Sequence, residues 1–295
     1  MKQFLNRLLG RTAPSLPAPV APVTASPLTD DQRQAQRLLE QGHALEDAGQ
    51  RAAAETPYLQ ALALCPHWSR IALNLGNALA AQGRFEDAAA RYEDALRLEP
   101  GYGAAHANLG QLHLTLGRYQ LAADHYAAAV QALPQSADAL VGLGCALEEL
   151  QRYQEALDAY RRALAINPDF AGAKLNLGRT LILLNQSEDA VDYLEEAVAA
   201  MPDNGLAYEV LGQALSDLYL IKQSVTYLRR ALELNAPYET LLAHTLLFKS
   251  NYLLEYTTES LFIAHQDYGE RYCSTFYPNS PQYDNRPDPE RSLKI

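Results

Sequence analysis

The chain has 295 residues, 48% of them hydrophobic, with 24 Lys and Arg against 35 Asp and Glu for a net charge of −11. Such acidity, with no basic cluster able to track phosphates, argues against nucleic acid as a partner. The three cysteines, Cys65, Cys145 and Cys273, are odd in number and far apart, which suits a reduced cytoplasmic protein rather than a disulfide framework.

Residues 1–11, MKQFLNRLLGR, put Phe4, Leu5, Leu8 and Leu9 on one side of a short amphipathic helix. A helix so short is marginal alone, and a frayed terminus is the simpler expectation. Asn6 and Arg7 interrupt its apolar letters and no cleavage-site pattern follows, so it does not read as a signal peptide. No apolar run reaches the roughly 18–20 residues of a transmembrane helix. Residues 12–30 are a Pro/Ala-rich spacer; the five prolines in 12–28 remove N–H donors and fix φ, so a disordered or extended linker is expected. Thr29 or Asp30 is placed to cap the helix that follows.

From there a period of 34 governs the chain. Let Gly76 define position 8 of the repeat. Position 8 is then Gly42, Gly76, Gly110, Gly144, Gly178 and Gly212, and position 27 is Ala61, Ala95, Ala129, Ala163, Ala197 and Ala231. Position 20 is alanine from Ala54 to Ala190, then Ser224; position 24 is Tyr58, Tyr92, Tyr126 and Tyr160, then Leu194 and Leu228. Position 32 is proline from Pro66 to Pro202, with Pro237 one residue late. Small residues at 8 and 20 let two helices approach closely, and a ring at 24 fills the space between them. Gly49, Gly83, Gly117 and Asn185 supply the left-handed residue between the helices. Proline at 32 ends the second helix. The pattern predicts two helices of about 14 residues per repeat, six times over, each unit needing its neighbours to bury its apolar face.

This frame, as in Leu75-Gly76…Ala88…Tyr92…Ala95…Pro100, resembles the tetratricopeptide (TPR) family across residues 35–238. The resemblance implies an all-α fold: a right-handed superhelical solenoid of antiparallel helix pairs, with six repeats over residues 31–238. The sixth repeat is atypical, with Tyr219 where a turn residue is expected and Ser224 for alanine, as befits the end of an array. Residues 239–272 read as a capping helix pair broken near Tyr256–Thr258, with Thr257 or Thr258 as cap and Leu261, Phe262, Ala264, His265 and Tyr268 on one side. Residues 273–295 are a polar, Pro-rich tail.

TPR resemblance implies partner contacts on the inner face of the first helix of each repeat, with asparagines at position 6 as a ladder. Here position 6 carries Asn74, Asn108 and Asn176, broken by Glu40, Gly142 and Val210; position 9 adds His43, Asn77, Gln111, Cys145, Arg179 and Gln213. A carboxamide donates and accepts, so it pairs with the backbone of an extended peptide whatever its side chains. The candidate groove is therefore Asn74, Asn77, Asn108, Gln111, Asn176, Arg179 and Gln213; the competing account makes them ordinary polar residues of a solvated face. A clamp for a C-terminal carboxylate needs basic residues at positions 2, 5 and 6. Only Arg70 is suitably placed, beside Leu39, Leu73, Ala104 and Asp138. The seven histidines show no metal-ligand spacing; His113 falls at a packing position. Acidic pairs at positions 12–13, such as Glu46-Asp47 and Glu148-Glu149, read as a solvated rim. Cys145 reads as a groove thiol with nothing near it in sequence to activate it. No catalytic residue, cofactor or metal is assigned.

One further resemblance lies in the tail. Ser250-Asn251-Tyr252-Leu253, then Glu259-Ser260-Leu261-Phe262, His265 and Tyr268-Gly269-Glu270-Arg271-Tyr272 are similar to the helical junction of bacterial O-linked N-acetylglucosamine transferase-like (SPINDLY-type) proteins, where Arg291-Ser292-Leu293-Lys294-Ile295 would begin the first strand of the catalytic region. That resemblance implies the substrate-recognition part of a protein glycosyltransferase. It carries over no catalytic residue, because this chain stops at that strand. The alternative is a stand-alone adaptor unrelated to glycosylation.

Overall fold

The computed structural model describes residues 28–234, 239–250, 257–268 and 270–271. The amphipathic segment 1–11, most of the spacer, Pro237, residues 251–256 of the junction and the tail lie outside the described residues. Those described form fourteen α-helices and no strand. They divide into two compact units, Met1–Asp203 and Asn204–Ile295, a division the unbroken period did not foretell.

The first unit contains five helix pairs: α1 (Asp30–Asp47) with α2 (Arg51–Leu64), α3 (Ser69–Ala81) with α4 (Phe85–Leu98), α5 (Gly103–Thr115) with α6 (Tyr119–Ala132), α7 (Ala137–Glu149) with α8 (Tyr153–Ile166), and α9 (Ala171–Leu183) with α10 (Ser187–Ala200). Each helix packs on its partner in the pair, and within this unit the second helix of a pair packs on the first helix of the next. After α1 the members are 13 and 14 residues long, close to the predicted lengths. Thr29 is the cap that opens the array: its hydroxyl and the Gln32 side chain form a reciprocal capping box.

Proline acts one residue ahead of itself. Cys65, Glu99, Leu133, Asn167 and Met201, each just before a proline, close the second helices with φ between −128° and −140°. The proline ring excludes the helical region for its predecessor, so the chain leaves extended and starts the next repeat.

The turn inside each pair is equally regular. Gly49, Gly83, Gly117, Gln151, Asn185 and Tyr219 all have φ between +57° and +81°. In every repeat the N–H after this residue reaches back to a carbonyl five positions earlier, as Arg84 to Leu79 and Arg152 to Leu147, which is the Schellman closure. Gln151 and Tyr219 thus adopt a left-handed conformation that their side chains disfavour. Gln151→Gly is expected to raise the midpoint of urea unfolding, by about 1 kcal/mol in stability, and Gly83→Gln to lower it by a similar amount. Equal midpoints would show that the turn tolerates either residue without strain.

Glycine at position 8 meets a specific neighbour. A Cβ on Gly42, Gly76, Gly110 or Gly144 would come within 2.2–2.8 Å of the Tyr58, Tyr92, Tyr126 or Tyr160 ring of its own repeat. Tyr126 lies against two glycines, since a Cβ on Gly142 would stand 2.3 Å from its ring. The tyrosines are 0–4% exposed, so ring and glycine together set the spacing between paired helices.

The second unit opens with the pair α11 (Gly205–Asp217) and α12 (Ile221–Glu233), followed by α13 (Glu239–Ser250) and α14 (Thr258–Tyr268). Leu228 takes the tyrosine's place over Gly212, and the Ser224 hydroxyl donates 2.7 Å to the Gly212 carbonyl. Leu228 and Ala231 form a small core against which Tyr208, Leu232 and Leu246 pack. Lys249 of α13 donates to the Ser216 hydroxyl of α11, and α14 begins where the Thr257 hydroxyl accepts the Ser260 N–H at 3.1 Å.

Candidate functional site

The position-6 and position-9 side chains are joined across repeat boundaries. Asn108 Nδ2 donates 2.7 Å to Asn77 Oδ1, and the Tyr92 hydroxyl donates to the same oxygen at 2.9 Å. One repeat earlier, Asn74 Nδ2 lies 2.9 Å from His43 Nε2. Two repeats later, Asn176 Nδ2 and the Tyr160 hydroxyl each reach Cys145 Sγ at 3.5 Å. Each asparagine link joins position 9 of one repeat to position 6 of the next, and each tyrosine bond joins positions 24 and 9 of one repeat. At the interrupted rung, Gly142 offers no side chain, and Gln111 Oε1 receives only the Tyr126 hydroxyl, at 3.1 Å.

These bonds leave atoms over. Asn74, Asn77, Asn108 and Gln111 are half-buried. Among the described residues, Asn74 Oδ1, both Nδ2 hydrogens of Asn77 and Asn108 Oδ1 have no partner. The relay therefore presents acceptor, donor and acceptor in turn along α3 and α5. Asn176 is placed differently: it is wholly buried, and its Oδ1 has no partner.

Arg179 is half-buried and engaged by Glu148, whose carboxylate stands 2.7 Å away and also accepts from Thr180 at 2.8 Å and Tyr160 at 3.4 Å. Gln213 belongs to the second unit, is exposed, and donates 2.7 Å to Asp217. The structure thus brings Asn74, Asn77, Asn108 and Gln111 together, sets Asn176 within the packing, and leaves Arg179 tied to a carboxylate.

Two sequence expectations are corrected here. Cys145 is not a groove thiol: it is buried, and burial pushes its thiol up to about 11. The acidic residues at position 12 are not a merely solvated rim, because Glu46 accepts the Tyr58 hydroxyl at 2.9 Å and Glu148 is the hub just described. Where position 12 is Ala80 or Leu114, the tyrosine turns to the carboxamide at position 9 instead.

The sequence reading also missed a grouping in the third repeat. His106 and His113 of α5 and His125 of α6 form a stack, with ring centroids 5.4 Å apart for both His106–His125 and His113–His125. A signal was present: other repeats hold leucine at position 11 and mostly apolar residues at position 4, where the third has His113 and His106. Among the described residues no group of three or more His, Cys, Asp or Glu is arranged to hold a metal ion. In the second unit Glu209 has a buried, unpartnered Oε2, and burial raises its carboxyl to about 7.

Comparison with known proteins agrees with the helix pairs. Two tetratricopeptide-repeat family models match, one over residues 73–137 and one over residues 147–214. Among solved structures, MamA is 26% identical with a TM-score of 0.53, over 57% of this chain and 92% of MamA. YrrB, described as a TPR protein with an unusual peptide-binding site, is 21% identical with a TM-score of 0.55, over 64% of this chain and 96% of its own. The Cut9–Hcn1 hetero-tetramer of the APC/C shares 18% identity and a TM-score of 0.64, over 73% of this chain and 42% of that one. No curated protein matches. Residues 73–137 and 147–214 are thus tetratricopeptide repeats, and the described residues are all-helical. Among those residues, no helix is long and apolar enough to cross a membrane.

Proposed function

We propose that the first unit binds an extended peptide segment of a partner protein along α3 and α5, through the free atoms of Asn74, Asn77 and Asn108 with Gln111 beside them. The observation that carries this reading is the relay itself. It holds each carboxamide in one orientation and leaves unpaired an acceptor–donor–acceptor series. An extended backbone offers N–H and C=O groups in alternation, so it can answer such a series without regard to its own side chains. Prior fixing of the carboxamides lowers the ordering cost of binding. Arg179, Asn176 and Gln213 are supporting members at most, since their polar groups are buried, paired or in the other unit.

A display library of unstructured peptides, selected against the whole chain, tests this. Selected peptides are expected to bind Asn74→Ala/Asn108→Ala about tenfold more weakly, as loss of two hydrogen bonds implies, while the helical circular dichroism stays unchanged. Equal affinity for the variant would remove the relay from the binding site.

The finer reading makes this array the substrate-recognition part of an O-linked N-acetylglucosamine transferase-like enzyme. Its support is the sequence pattern from Ser250 to Tyr272, with Arg291 to Ile295 after it. The rival is an adaptor that assembles other proteins. A reading frame continuing into two nucleotide-sugar-binding domains would favour the former, and an unrelated frame the latter.

A further inference from the structure

We propose that the third repeat is an acid-sensitive joint, in which protonation of the His106–His125–His113 stack separates α5 from α6 and so disturbs the binding face. The effect on binding rests on the function proposed above; the joint itself does not.

The bonds assign the protons. His106 Nε2 lies 3.0 Å from the Pro100 carbonyl oxygen, which can only accept, so Nε2 carries the hydrogen. Neutral His106 then has its lone pair on Nδ1. His125 Nδ1 stands 3.1 Å away and must be the donor. The neutral pair is satisfied in this one arrangement. One added proton is tolerated, because either ring can become the donor to the other's lone pair. A second sets N–H against N–H at that distance. His113 stacks almost parallel on His125, at 17°, and its Nδ1 is buried without a partner. Charging His113 would orphan a hydrogen inside the pair.

The surroundings lean the same way. Burial lowers the pKa of His125, and His113 and His106 lower it further, against Asp124 on α6. Burial and Arg118, in the turn, lower that of His113, against Glu93 from α4. From α7, Asp138 acts on neighbouring Tyr126; from α3, the uncharged Asn77 bonds Asn108 of α5. A folded-state value below the ordinary histidine range contributes stability above about pH 6.5 that is lost as the pH falls. The two helices concerned bear the site: α5 carries Asn108 and Gln111, and α6 carries the Tyr126 that holds Gln111.

Amide hydrogen exchange of the whole chain at pH 7.5 and 5.5, corrected for intrinsic rates, tests the joint without any partner. Protection over residues 103–132 is expected to fall about fivefold more than over residues 153–183. His125→Tyr takes the residue that two other repeats use there, Tyr193 and Tyr227, and is expected to abolish the difference. His113→Leu, the residue of all the other repeats, is expected to reduce it. Equal loss in both segments, or a difference that survives in both variants, overturns the proposal. Peptide binding that fails while the exchange difference persists overturns only the binding reading.

Discussion

Tyr160→Ala is expected to lower the stability of the first unit by about 3–5 kcal/mol, the range for deleting a buried aromatic ring. Tyr160 is wholly buried, and a Cβ on Gly144 would stand 2.4 Å from its ring. Gly144→Ala should by itself cost about 1–3 kcal/mol from overpacking, a loss reduced by the roughly 1 kcal/mol that alanine gains over glycine in a helix. The two changes address one contact, so the double variant should lose clearly less than the sum: the alanine methyl occupies space the ring has left. Tyr160→Phe should cost only about 1 kcal/mol, because its hydroxyl bonds to Cys145 and Glu148 are long, at 3.5 and 3.4 Å. Urea unfolding followed by circular dichroism measures all four. Additive losses, or a neutral Gly144→Ala, would mean that the ring shifts freely and that glycine recurs at position 8 for some other reason.

The repeat frame was legible because its letters act locally. Proline stops a helix and glycine turns one whatever surrounds them, and an alanine or tyrosine every 34 residues marks a packed face. Register even carries where letters fail, since Gln151 and Tyr219 take the left-handed turn that their repeat position demands. What stayed hidden are bonds between residues whose spacing is not that of the repeat. The position-9 to position-6 links join residues 31 apart, as Asn77 and Asn108 or Cys145 and Asn176. The tyrosine-to-carboxylate links join residues 12 apart, as Tyr58 and Glu46. Both spacings depend on how far one helix pair is rotated on the next, and no single residue announces that rotation. The same ignorance made Asn176 look equivalent to Asn108 and made Glu148 look solvated. The histidine stack was overlooked for a related reason: histidine is read for metal spacing, whereas here its meaning lies in replacing apolar letters of the frame.

Arg179→Met is expected to cost about 3 kcal/mol at pH 7.5, even though methionine packs well. The Glu148 side chain is only 9% exposed and that of Arg179 22%, with 2.7 Å between guanidinium and carboxylate. Removing the cation leaves a nearly buried carboxylate with hydroxyl donors alone, Thr180 at 2.8 Å and Tyr160 at 3.4 Å. An uncompensated buried charge is far more costly than a missing pair. Arg179→Met/Glu148→Leu should therefore recover most of the loss, since replacing both partners by apolar groups is often neutral. Urea unfolding at pH 7.5 measures both variants. A double variant that loses as much as Arg179→Met would mean that lost packing, not the stranded charge, sets the cost. Glu148 lies on α7 and Arg179 on α9, so the pair ties the fourth repeat to the fifth. Weaker peptide capture by Arg179→Met alone would then report a loosened boundary rather than a lost peptide contact, because the guanidinium is held by Glu148.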